Sequence, residues 1–221
     1  MSQVRRETIE CPHCHAKGEF DFWESINVDL DPELRDKIFS DELFMFRCPS
    51  CGEVTGIPFG TLYHDIKNKF MLFFDFFKPN DYDYSPMDIP EDGFGIKEGY
   101  TFRVVFDLMR FKEKIVILEA GLNDIAVERQ KYMISHIIMP EIAKKGYQLY
   151  FAKREGPNEE FEHGTIYYFY DDEEKQQTMT IRFAMDNYYE HCLACEIDPR
   201  MAVNDCICVD EELMAKRMKK E

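Results

Sequence analysis

Eight cysteines occur in this 221-residue chain, and four of them repeat one pattern. Cys11-Pro12-His13-Cys14 and Cys48-Pro49-Ser50-Cys51 are both Cys-Pro-x-Cys, and Gly52 follows the second. One Cys-x-x-Cys turn presents two thiolates to one side of a metal ion. Two such turns supply the four soft ligands of a tetrahedral zinc site and leave no open coordination position. Proline after each first cysteine fixes φ in the turn, and Gly52 permits a positive φ where the chain turns away. The chemistry implied is structural: one zinc ion on Cys11, Cys14, Cys48 and Cys51. His13 and His15 flank the first turn as nitrogen alternatives, but four paired sulfurs leave no need of them. Cys-Pro-His-Cys also matches an oxidising dithiol site, which needs its first cysteine at a helix N-terminus. Here His15-Ala16-Lys17-Gly18 and a strand pattern follow instead, so redox catalysis is disfavoured.

The remaining candidates are weaker. Cys192-Leu193-Ala194-Cys195 and Cys206-Ile207-Cys208, with His191 nearby, could form a second four-cysteine site. A Cys-x-Cys pair on an extended strand sets its sulfurs about 6–7 Å apart along the chain. The Cys192 pair also lacks the proline or glycine of a good turn, so core or surface thiols are preferred. His64-Asp65 reads as a possible general-base pair, with Glu128 as a further pocket carboxylate. Adjacent residues rarely pair in that way, and a turn is the expectation there. Asp81-x-Asp83-x-Ser85 lacks the glycine and terminal glutamate of a calcium loop. The chain contains no phosphate loop, dinucleotide fingerprint, His-Glu-x-x-His or Gly-x-Ser-x-Gly.

The elements that must position these residues are α+β. Residues 1–10 read as a polar lead-in and Gly18 as a turn. Glu19 to Leu30 reads as a strand, with Ile26, Val28 and Leu30 on one face. Asp31 and Pro32 then open a short helix through Phe39. Leu43 to Arg47 is strand-like and delivers Cys48; Val54–Pro58, a Tyr63-His64-Asp65 turn and a buried strand over Lys69–Phe77 follow. Residues 78–99, with Pro79, Pro86, Pro90, Gly93, Gly95 and Gly99, read as an acidic loop. A strand from Tyr100 leads to an apolar stretch, Lys112–Leu118, also read as strand. Asn123 caps one long central helix over Asp124–Lys145, which Pro140 kinks or breaks and Gly146 ends. Residues 147–153, 164–170 and 177–185 read as antiparallel strands. A short strand at Cys206–Val209 and an exposed helix over Asp210–Lys220 close the chain. The organisation expected is a zinc-ribbon-like part with antiparallel sheet (1–77), the loop (78–99), strands and long helix completing the same domain (100–146), and an antiparallel β region (147–221). Between the turns, residues 15–47 enclose Trp23, the single tryptophan, and this segment is expected to depend on the metal.

Composition bounds the function. Lys and Arg number 27 against 43 Asp and Glu, a formal charge of −16. Nucleic acid requires a basic face, so binding to it is disfavoured. The N-terminal stretch has no apolar run of signal-peptide length, and Phe70–Phe74 is too short to span a bilayer. A cytoplasmic location follows as the expectation, with its cysteines reduced.

Several motifs together resemble a known family. They are the CPHC and FRCPSCG turns, Ser25-Ile26-Asn27-Val28, Asp31-Pro32-Glu33-Leu34, Leu62-Tyr63-His64-Asp65, Arg103-Val104-Val105-Phe106, Glu113-Lys114-Ile115 and Gly121-Leu122-Asn123-Asp124. This set is similar to the CpXC domain family, a bacterial and archaeal group named for its paired Cys-Pro-x-Cys motifs. It covers about residues 1–135 well and the remainder loosely. The resemblance implies a zinc-ribbon-like knuckle pair in an α+β domain and brings no catalytic residues. The function expected is a zinc-stabilised interaction or scaffold module with a protein partner. The alternative is an enzyme with a pocket between ribbon and long helix, using His64, Asp65 or Glu128.

Overall fold

The computed structural model describes residues 1–85, 99–202 and 207–218. The chain forms two compact units, Met1–Lys112 and Glu113–Glu221. Helices and sheets occur in both.

The first unit is built on a mixed five-stranded sheet in the order β1-β2-β5-β6-β7. Its strands are β1 (Gln3–Glu10), β2 (Lys17–Asn27), β5 (Thr61–Asp65), β6 (Phe70–Phe74) and β7 (Thr101–Val105). β1 runs antiparallel to β2, from Gln3 opposite Ser25 to Glu10 opposite Lys17. β2 is parallel to β5, β5 antiparallel to β6, and β6 parallel to β7. The expected antiparallel sheet is therefore corrected to a mixed one. The crossover from β2 to β5 carries α1 (Glu33–Phe39), a 3-10 turn (Glu42–Phe44) and a separate two-stranded sheet. That sheet is the hairpin of β3 (Met45–Arg47) and β4 (Val54–Gly56). Ile26, Leu34, Ile38, Phe44, Tyr63 and Leu72 are all at most 2% exposed, so the core lies between the sheet and this crossover. Phe74 and Phe111 stack within it, with ring centroids 4.5 Å apart.

Four readings change here. The polar lead-in is β1: nearly every residue is exposed, so no apolar period marks it, and backbone pairing to β2 alone makes it a strand. Gly18 is inside β2 opposite Ile9 and marks no turn. Tyr63-His64-Asp65 is strand β5, with Tyr63 and Asp65 buried on one face. Lys112–Leu118 is helical, part of α2 (Leu108–Glu119), across which the unit boundary falls. Its apolar run fits a buried helix segment as well as a strand, an ambiguity periodicity cannot resolve.

In the second unit Asn123 accepts from the Ile125 and Ala126 amides and caps α3 (Asp124–Met133). The expected single long helix is corrected to three pieces. A π-helical turn (Ile134–Ile138) follows α3, and Pro140 opens α4 (Pro140–Lys144), since proline lacks the N–H needed to continue the ladder. Gly146, at φ 73°, ends α4. β8 (Tyr150–Glu155), β9 (Thr165–Asp172) and β10 (Gln177–Ala184) form the expected antiparallel sheet, in the order β10-β9-β8. After β10 comes a helix that the sequence reading lacked, α5 (Met185–Ile197). α6 (Glu211–Met218) is amphipathic, with Leu213 and Met214 buried, where a wholly exposed helix was expected. The expected strand at Cys206–Val209 shrinks to a single bridge residue, Ile207, while Cys206 lies outside the described residues. Residues 86–98, within the loop expected over 78–99, and residues 219–221, which include the end of the helix expected over Asp210–Lys220, also lie outside them.

Candidate metal centre

Each Cys-Pro-x-Cys turn is the tip of a hairpin. The first joins β1 to β2 and the second joins β3 to β4. Their backbone hydrogen bonds match residue for residue. The Cys11 amide donates to Ala16 O (2.9 Å) and the His15 amide to Cys11 O (3.0 Å). In the second turn Cys48 N–H donates to Glu53 O (2.8 Å) and Gly52 N–H to Cys48 O (3.0 Å). His15 and Gly52 hold the same place, and both are left-handed, at φ 59° and 75°.

The two tips bring four sulfurs together. Cys11 and Cys51 Sγ are 3.8 Å apart, Cys14 and Cys48 Sγ 3.6 Å, and all four lie within 4.8 Å of one another. A tetrahedral thiolate site with metal–sulfur bonds near 2.3 Å has sulfur–sulfur edges of about 3.8 Å. The donor set and its spacing therefore fit a metal ion. No disulfide joins these residues, which are free thiols. Cys11 and Cys48 are buried, while Cys14 and Cys51 are exposed. The Cys51 and Ser50 backbone amides donate toward Cys48 and lower its thiol to about 6, with Ser50 N 3.4 Å from the sulfur. The Glu53 amide pulls Cys51 down, yet partial desolvation and the Cys14, Cys48 and Cys11 thiols push it up to about 12. Among the described residues this is the one group of three or more His, Cys, Asp or Glu able to hold an ion. His13 and His15 stay outside it; the His15 ring pairs with Glu10 at 2.8 Å.

A small apolar core supports the sulfurs. Cys11 and Cys48 pack with Phe20 and Phe46, and with the half-buried Ile9, Phe22, Ile57 and Phe59. Gly18 lets the hairpins approach. A Cβ there would lie 2.8 Å from Phe46 Cζ and 2.9 Å from Pro49 Cδ. Its lack of a side chain is a packing requirement, which a sequence scan for turns misreads. The left-handed His15 was legible only by aligning the two turns and transferring the demand of Gly52.

The other candidates are placed elsewhere. His64 and Asp65 are consecutive on β5, so their side chains leave opposite faces of the sheet. Asp65 accepts from the Asn68 backbone and side chain, both at 2.7 Å, and so fixes the β5–β6 turn. His64 Nε2 lies 3.3 Å from the Tyr100 hydroxyl. Glu128 belongs to the second unit, in a buried ionic network. Lys131 Nζ donates to Glu128 (3.1 Å) and Glu113 (2.7 Å), while Lys114 donates to Asp124 (3.1 Å). Cys192 and Cys195 sit three apart on α5. Burial pushes the Cys195 thiol up to about 11 and Cys192 upward as well, and among the described residues these two and Cys208 form no group that could hold an ion. Cys208 Sγ donates to Asp210 Oδ2 at 3.3 Å. His191 is buried against the Arg129 guanidinium, and burial with that charge lowers it to about 4.

Among the described residues, no helix is long and apolar enough to cross a membrane. No curated protein and no solved structure matches the chain. A family model described as CpXC protein matches residues 9–131, a span that holds both Cys-Pro-x-Cys turns and exceeds half of the chain, and the chain belongs to that family.

Proposed function

We propose that this CpXC protein is a zinc-stabilised interaction module: one structural zinc ion on Cys11, Cys14, Cys48 and Cys51 clamps two hairpins, and the surface so fixed binds another polypeptide. The observation that carries this reading is the four-sulfur cluster at tetrahedral spacing, built by two turns with the same backbone bonding. All-thiolate donors suit zinc, and the zinc-ribbon-like arrangement joins two hairpin tips with no ligand position left for chemistry. Zinc when bound supplies charge neutralisation and a cross-link; the chain supplies N–H donors to Cys48 and the apolar bed of Phe20 and Phe46. A cytoplasmic, reducing setting keeps such thiols available. The charge of −16 favours a protein partner over nucleic acid.

The test is reconstitution of the metal-free chain under reducing, anaerobic conditions. Cobalt should give the sulfur charge-transfer and tetrahedral d–d bands of a four-thiolate site, and one equivalent of zinc should remove them. A stoichiometry of two, reduced to one by replacing Cys192 and Cys195 with serine, would overturn the single-site reading. An exchangeable water on cobalt would make the site catalytic instead.

A further inference from the structure

Beside the cysteine cluster, a groove of ≈ 380 Å³ lies between β2 and β3. Trp23, Lys37, Glu42, Met45, Phe46 and Arg47 line it, and Phe20 and Phe46 also form the bed of Cys11 and Cys48. The strand in its wall is half paired. β3 meets only β4. The Ile57 amide donates to Phe44 O (2.7 Å) and the Cys48 amide to Glu53 O (2.8 Å). Residues 44, 46 and 48 therefore turn their backbone groups toward β4, and Met45 and Arg47 turn theirs away. The Met45 amide is satisfied by Glu42 O. Among the described residues, neither the Met45 carbonyl nor the Arg47 amide and carbonyl has a backbone partner.

Charge in the groove is divided in the same way. Arg6 is spent on Asp21, with bonds of 2.6 and 2.9 Å, and that guanidinium holds the Asp21 carboxyl below its usual range. Lys37 adds its charge to the hold on Asp21 from a greater distance, and among the described residues Lys37, Glu42 and Arg47 make no ion pair. A bare strand edge, a half-buried tryptophan beside an exposed methionine, and charges of both signs outside any ion pair constitute the chemistry of strand addition.

We propose that this groove binds an extended polypeptide segment, which adds a strand to β3, sets an acidic side chain on Lys37 and a basic one on Glu42, and lays an apolar side chain on Trp23 and Met45. The proposal rests on the interaction-module reading and names its partner class. A second copy of the chain fits less well, since each copy carries −16. The longer free edge of β1 offers strand pairing too, but Arg5, Arg6 and Glu7 guard it, as charged edges commonly do.

A phage-displayed library of random linear twelve-residue peptides, panned against the zinc-loaded full chain, supplies the probe. Enriched tryptophan-free peptides should shift Trp23 emission and slow hydrogen exchange at the Arg47 amide. Arg47→Pro removes that N–H from an edge strand, where proline is tolerated, and should weaken binding about tenfold or more. Arg47→Ala keeps the N–H and should retain most of the affinity. Lys37→Glu should abolish the preference for an acidic side chain. Zinc content is measured for every variant, so loss of the metal is told apart from loss of the groove. The proposal is overturned if no peptide is enriched on zinc-loaded protein, if Arg47→Pro with its zinc intact binds as well as the parent, if protection appears on β1, or if the only association found is of the chain with itself.

Discussion

The two Cys-Pro-x-Cys hairpins share a backbone pattern and differ in what stands behind them. The first caps β1 and β2, eight paired positions at the edge of a five-stranded sheet. The second caps β3 and β4, three paired positions in a sheet of two. An isolated two-stranded hairpin is marginal in water, whereas three or more strands on a core hold by themselves. The turn at Cys11 is thus presented by a broad sheet, whereas the turn at Cys48 stands on a short hairpin with Phe46 and the sulfur cluster behind it. Trp23 sits opposite Val4 in the broad sheet. The enclosed segment 15–47 should therefore respond to the metal unevenly, most at its Cys48 end.

The largest effect should come from removing the metal's grip on the weaker hairpin. Zinc in small thiolate sites contributes on the order of 10–16 kcal/mol, comparable with the whole stability of a domain. Chelation or Cys48→Ser should raise amide exchange over residues 45–56 by more than about a hundredfold, a local opening of several kcal/mol. Amides of Phe22, Ile26 and Tyr63 should remain protected, and Trp23 emission should move little. Equal opening of β1 and β2 would break the comparison.

A smaller effect tests the approach of the two hairpins. Gly18→Ala places a methyl group 2.8–2.9 Å from Phe46 and Pro49. Overpacking of this kind costs about 1–3 kcal/mol. Denaturant unfolding of the zinc-loaded protein should show the loss, and cobalt spectra should report a perturbed site. An unchanged midpoint would mean that the hairpins are not in close register.

The smallest effects sharpen the equivalence of His15 and Gly52. No atom lies within 4 Å of a Cβ at Gly52, so Gly52→Ala should cost only the left-handed backbone term, about 1–2 kcal/mol. His15→Gly relieves the same term and gives up the exposed contact with Glu10, worth about 0–1 kcal/mol. Its net change should be near zero or stabilising by up to about 1 kcal/mol. A clear loss on thermal unfolding would show that His15 does more than fill the turn.

Much of this was legible in one dimension. The four sulfurs follow from two local turns whose spacing and prolines need no tertiary knowledge. The Asn123 cap, the break at Pro140, the Gly146 terminus and the three C-terminal strands also follow from local signals. What failed had a common cause. β1 has an exposed surface on both faces, so its sequence carries no apolar period and only its partner strand makes it regular. The Lys112–Leu118 run and the helix after Met185 are apolar on more than one side, which erases the difference between periods of two and 3.6.

The sequence by itself determined the four clustered cysteines and the two turns that hold them, because each turn closes its hydrogen bonds within six residues. Tertiary structure alone decided that Gly18 serves packing, that His64 and Asp65 face apart, that Glu128 lies among buried lysines, and that one hairpin stands on a broad sheet while the other has a bare edge. These are relations between segments distant along the chain, set by which surfaces the fold buries together, and no local preference encodes them.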